Sequence, residues 1–118
     1  MSLDRFNPEL HAGSVPAVIP DGAVATDRAG AAAGFLKAFS HEGRLMILCH
    51  LAGGEHSVTE LEGLLGSRQA AVSQQLARLR MEGLVSTRRD GKAIYYAIRD
   101  PKVLAQVRLM QDLFGVAG

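Results

Sequence analysis

A single cysteine, Cys49, stands in 118 residues. No internal disulfide can form, and a reducing, cytoplasmic location is expected. No apolar run approaches the ~20 residues that a membrane span needs, and no basic region followed by an apolar block opens the chain, so no secretory signal is read. Repeats and low-complexity blocks are absent apart from the small-residue run Ala29 to Gly34. Nucleophile–base pairs at useful spacing and phosphate-cradling glycine loops are also missing, so neither an enzyme nor a bound cofactor is expected. Soft metals need thiolate or imidazole clusters. His41, His50 and His56 are scattered around one helical stretch and read as surface or packing residues, so no metal site is expected.

What is present describes a globular protein: 47% of the residues are apolar, in a length that suits one domain. The net charge of +1 conceals an asymmetry. Residues 1–67 carry four basic groups against eight acidic ones, a net of −4. Residues 68–102 carry eight basic groups against three acidic ones, a net of +5. A local excess of positive charge is the footprint of a surface that binds a polyanion.

Residues 1–22 contain Pro8, Pro16 and Pro20, show no sustained periodicity and read as a mobile arm. Residues 23–118 read as the folded domain. A first helix is expected from Thr26 or Asp27 to Phe39, and a second, capped by Ser40, from His41 to Ala52. Leu45, Leu48, Cys49 and Ala52 would line the inner face of the second. Ser57-Val58-Thr59-Glu60 has the form of a capping box, so a short third helix should run from Val58 to Leu65 with Leu61, Leu64 and Leu65 inward. Asp100-Pro101, a cap residue followed by proline at the first helical position, opens a last helix. Its stripe is Val103, Val107, Met110 and Phe114. With the small-residue first helix and its Phe35, this stripe needs a partner surface, and a homodimer through the two helices is the expected solution.

The chain is organised around Ser67 to Leu84. Val72, Leu76 and Leu79 fall at i, i+4 and i+7 and make an apolar stripe. Gln74 and Arg78 point nearly the opposite way, among alanines that allow close approach. Gln and Arg can each pair with base edges in the major groove. Third helix, glycine turn and this helix form a helix-turn-helix, whose second helix enters the groove. Val85–Arg89 and Lys92–Ile98 then flank Asp90-Gly91, a strong hairpin signal. On that turn Arg89 faces Lys92 and Val85 faces Tyr96, and Val85, Ile94, Tyr96 and Ile98 share a face. Arg88, Arg89 and Lys92 crowd the tip, where phosphate is their natural partner. The competing reading is an ordinary solvated helix and a hairpin whose charges only prevent edge pairing. Basic helix and basic tip together favour double-stranded DNA. The alternative of another class is a winged-helix module that binds a protein.

The segments Leu36 to Leu48, Ser57 to Leu61, Ala71 to Arg80, Gly83 to Val85 and Gly91 to Tyr96 resemble the ArsR/SmtB family of winged-helix repressors, in order and over about Gly34 to Phe114. The resemblance implies a mainly α fold with a β-hairpin wing, ordered α-α-α-α-β-β-α. It also implies a homodimer on a palindromic operator, released by a chemical signal. It places Gln69, Ser73 and Gln74 in or at the edge of the groove. With Arg78 from the outward face and Arg68 at the start of the stretch, these are the expected DNA-binding residues of the helix. Metal-sensing members carry paired cysteines at the third helix or Asp/His pairs on the last. Here Ser57, Thr59 and Leu61 occupy the first region, and the last helix offers only Asp112. Within the family the chain resembles more nearly the BigR- and HlyU-like thiol-switch branch, which answers persulfide and oxidants. Cys49 matches that branch's second-helix cysteine, but Gly115 stands where the second thiol should follow the Leu113-Phe114 pair. Two readings of Cys49 stay open: a one-thiol sensor, or a small apolar core residue. If it is core, the inducer acts without covalent chemistry.

Overall fold

The computed structural model describes residues 26–66 and 69–116. Its elements, in order, are α1 (Thr26–Lys37), α2 (Glu42–Ala52), β1 (His56–Ser57), α3 (Val58–Leu65), α4 (Gln69–Met81), β2 (Val85–Asp90), β3 (Ala93–Ile98) and α5 (Pro101–Phe114). The expected arm of residues 1–22 lies outside the described residues. The chain divides into two units between Lys37 and Ala38. In the first, α1 is an Ala/Gly-rich helix with no buried residue. It stops two residues short of the expected Phe39, and the Ala38 carbonyl accepts from Arg44 Nε at 3.3 Å.

In the second unit α2 is the central helix. Its sequence, EGRLMILCHLA, is apolar almost all round, as befits a helix enclosed on several sides. It packs against α3, α4, α5 and β3. Ile47, Leu48, Cys49 and Leu51 are therefore buried, while Leu45 and Ala52, expected inward, are half-buried. A single stripe is too narrow a description for a helix with neighbours on more than one side. The cap also differs from expectation. Helix geometry begins at Glu42, so His41 and not Ser40 is the cap, and its Nδ1 accepts the Gly43 N–H at 3.1 Å. A Cβ on Gly43 would come within 3.1 Å of that ring, so the small residue suits the cap.

The capping box of α3 is formed. Ser57 Oγ accepts the Glu60 N–H at 3.1 Å, and the Glu60 carboxylate accepts the Ser57 N–H at 2.8 Å. Leu61 is fully buried, Leu65 is half-buried and Leu64 is 51% exposed, because α3 packs on α2 and α4 along a stripe centred on Leu61. Gly66, left-handed at φ +64°, closes the helix. On α4, Val72, Leu76 and Leu79 are buried, as the periodicity predicts. The helix stops at Met81. Leu84 N–H then reaches the Leu79 carbonyl, Gly83 N–H reaches the Arg80 carbonyl, and Gly83 is left-handed at φ +76°. That is a Schellman exit.

The sheet is antiparallel with order β1-β3-β2. The two-residue strand β1 is not legible in the sequence. The hairpin register differs from the expected one by two residues: Asp90 pairs with Ala93, Arg89 with Ile94, Thr87 with Tyr96 and Val85 with Ile98. The turn residues are thus Gly91 and Lys92. An Asp90-Gly91 turn of the primed type I would need positive φ at both residues, and among the described residues only glycines have positive φ. With Gly91 at φ +62° in the first central position, the turn follows the type II′ pattern. A shift of two conserves the pleat, so Val85, Ile94, Tyr96 and Ile98 still share a face. Val85 is buried there and the other three are half-buried. Asp100 caps α5 through the Lys102 N–H at 2.9 Å, with Pro101 next, as predicted. The core is built around α2, on which α3, α4, α5 and β3 pack: Leu48, Leu61, Leu76, Leu79, Val103 and Val107 are wholly buried.

Candidate nucleic-acid interface

The outer face of α4 follows from the burial of its inner one. With Val72, Leu76 and Leu79 committed to the core, Gln74 and Arg78, two residues away from stripe positions, are turned outward, and both are exposed. Ser73 is half-buried at the edge of the same face. Gln69 is the first residue of α4, and Arg68 lies outside the described residues. Arg78 Nε stands 3.5 Å from Glu82 Oε2 in an exposed i,i+4 pair. Such pairs are worth little, so the guanidinium can exchange this partner for another anion at small cost.

Gly83 delivers the chain from α4 directly into β2, so the helix face and the wing adjoin in sequence and in space. The three basic residues of the wing differ in their surroundings. Arg89 and Lys92 are exposed and form no ion pair among the described residues. Arg88 is fully engaged. Its Nε donates to Glu55 Oε2 at 3.2 Å, and its Nη2 donates to Oε1 of the same carboxylate. Nη1 lies 3.8 Å from Asp90 Oδ2, and the guanidinium covers the Tyr95 ring with 4.9 Å to the centroid. The Arg88 hydrogen bond holds the Glu55 carboxyl below the usual carboxylate range, and the same bond raises the Arg88 pKa further. Glu55 and Tyr95 were not singled out in the sequence. Glu55 and Arg88 are 33 residues apart, and no local pattern announces their contact.

Behind the interface, Cys49 is 1% exposed, and burial pushes its thiol pKa up. A thiol in that state is protonated and shielded. Burial, and then the neighbouring His56, lower the pKa of His50. His56 Nδ1 lies 3.6 Å from Glu60 Oε1. Among the described residues no three His, Cys, Asp or Glu side chains converge as metal ligands, and no helix is long and apolar enough to cross a membrane.

The residues expected at a dimer contact divide into two groups. Val103 and Val107 are wholly buried in the chain's own core, so they cannot supply surface to a partner. Met110 is half-buried, and Phe114 is 72% exposed. Leu109, not singled out in the sequence, joins Phe114 as an exposed apolar residue of α5. Phe35 is half-buried on α1.

The pattern of the family described as bacterial regulatory protein, arsR family, matches residues 41–87, from the start of α2 into β2. A biofilm growth-associated repressor of Agrobacterium fabrum is 45% identical over 89 residues, which cover 75% of this chain and 74% of the relative. The transcriptional activator HlyU of Vibrio cholerae is 43% identical over 79 residues, 67% of this chain and 73% of that protein. The crystal structure of the transcriptional repressor BigR from Xylella fastidiosa superposes with a TM-score of 0.72 at 43% identity, covering 75% of this chain and 91% of that one. With a buried α4 stripe, an outward Gln/Arg face and a basic hairpin on a winged helix-turn-helix, the chain belongs to the ArsR family of DNA-binding transcriptional regulators.

Proposed function

We propose that the protein is a homodimeric repressor that binds a palindromic operator and leaves it on a chemical signal. The observation that carries this reading is the α4 face itself: Gln74 and Arg78 exposed, opposite a stripe that is wholly committed to the core. In the dimer two such helices enter successive major grooves about 34 Å apart. Arg68, Gln69 and Ser73 work at the groove edge, and Arg89 and Lys92 hold phosphate. Working on DNA, the protein acts in the cytoplasm, without cofactor or catalysis.

For the signal, Cys49 is the thiol at which reactive sulfur or an oxidant would act. One thiol per chain permits a sulfenic acid, a cap or an interchain bridge. A cap would force polar bulk into the packing of α2 behind α4, and overpacking of ~1–3 kcal/mol biases a two-state dimer. The burial and raised pKa of Cys49 support a second reading, in which the inducer binds without covalent chemistry.

One experiment tests both levels. Duplexes are selected from a random pool with reduced protein, then challenged after persulfide treatment, with Cys49→Ser in parallel. A palindromic consensus is the expected outcome, and its absence removes the operator reading. Release of wild type but not of Cys49→Ser assigns the signal to the thiol. Retention on DNA after mass spectrometry confirms the modification would leave Cys49 as core.

A further inference from the structure

The two arginines and one lysine of the wing look alike in sequence, yet Arg88 stands apart in its contacts. Register sets Arg88 opposite Tyr95, and Tyr95 opposite Ser57, so the three form one row across the sheet. Glu55 immediately precedes β1 at the far edge. To reach it, the Arg88 side chain crosses the central strand β3 over the Tyr95 ring and grips the carboxylate with two hydrogen bonds. One guanidinium therefore joins the two edge strands. The far edge, β1, ends in Ser57, which is also the cap of α3. The clasp thus runs from the wing to Glu55, two residues before the cap of the helix-turn-helix.

We propose that Arg88, clasped by Glu55 over Tyr95, is a positioning residue that fixes the wing relative to the helix-turn-helix, so that Arg89 and Lys92 meet phosphate while α4 is seated. Its own charge is neutralised by Glu55 and Asp90. The planar fork and the stacking on Tyr95 are features of Arg that Lys cannot reproduce. The inference rests on the reading of Arg89 and Lys92 as phosphate contacts. It assigns to Glu55, an acidic residue in a polyanion-binding protein, a favourable part in binding.

That sign makes the test decisive. Glu55→Gln adds one positive unit to the chain, and by charge alone it should tighten DNA. If Glu55 holds the wing, affinity for the selected operator falls about three- to tenfold near 0.15 M salt, and the log–log salt slope becomes shallower by about one unit as a phosphate contact is lost. Arg88→Lys keeps the charge but not the fork, and is expected to lose as much as Arg88→Gln. In the Glu55→Gln background, Arg88→Gln should add little. Thermal melting by circular dichroism confirms that each variant is folded at the assay temperature. Glu55→Gln, an exposed and nearly isosteric change, carries the test if an Arg88 variant fails to fold. Equal or tighter binding by Glu55→Gln, or full binding by Arg88→Lys, overturns the inference. Arg89→Ala and Lys92→Ala serve as the separate check on the wing. If both bind as wild type, the phosphate reading falls and takes this inference with it. If both weaken binding while Glu55→Gln does not, the inference alone falls.

Discussion

Gln74 and Arg78 owe their positions to leucines they never touch. Val72, Leu76 and Leu79 are buried, and helix geometry turns the residues two positions away outward. Truncating either to Ala should leave stability almost unchanged, since Arg78 gives up only an exposed pair with Glu82. Discrimination between operator variants is expected to fall by ~1–3 kcal/mol for each lost base contact. Competition binding against single base-pair substitutions measures this, and unchanged preference would put a different face in the groove. His50 acts at the same scale but on stability. Burial and His56 lower its pKa in the folded chain. Such a group adds stability above its unfolded pKa of about 6.5 and loses it as the pH falls. The melting temperature should therefore drop between pH 7.5 and 5.5, and His50→Gln should flatten part of that drop. A pH dependence identical in the variant would acquit His50.

At the scale of elements, caps and turns decide how helix and wing are joined. The exit from α4 depends on Gly83 in the left-handed region, with two Schellman hydrogen bonds across it. Nothing lies within 4 Å of a Cβ added there, so Gly83→Ala carries backbone strain without a clash. A cost of ~1–2 kcal/mol is expected, readable by denaturant titration. A neutral result would mean that the joint relaxes into another turn. The hairpin teaches a related lesson. Asp-Gly marked the turn correctly to within one residue, but the structure sets glycine first and leaves Asp90 in β2. The pleat survived because the displacement was even. The same reasoning explains why the inner face of the wing was legible although its register was not.

At the scale of the molecule, the last helix contributes to two different surfaces. Val103 and Val107 close the core of one chain, while Leu109 and Phe114 remain exposed. In the proposed homodimer those two residues, with the half-buried Met110, would be the surface that α5 offers to a second copy. Phe114→Glu would bring an unpaired charge into that contact, at a cost of several kcal/mol to the dimer, while leaving the single chain folded because the residue is 72% exposed in it. If the proposed dimer forms through this contact, light scattering should report monomer, and operator affinity should fall because the two proposed half-sites would no longer be bound together. A dimer that survives the substitution would move the interface away from α5.

Local chemistry was sufficient for much of this protein. The capping box at Ser57, the Asp100-Pro101 start, the α4 stripe and the left-handed glycines depend on residues within seven positions of one another. Their hydrogen bonds and steric limits act in any context, so the sequence alone determined these elements and the winged helix-turn-helix they compose. The tertiary structure decided what depends on distant neighbours. Enclosure of α2 on several sides buried Ile47 and Leu51 beyond the expected stripe. The pairing of β1 with β3 created a third strand from two residues. Val103 and Val107 went to the chain's own core because α5 packs against α2. Glu55 clasped Arg88 across 33 residues, and that contact depends on sheet register, which no local pattern encodes.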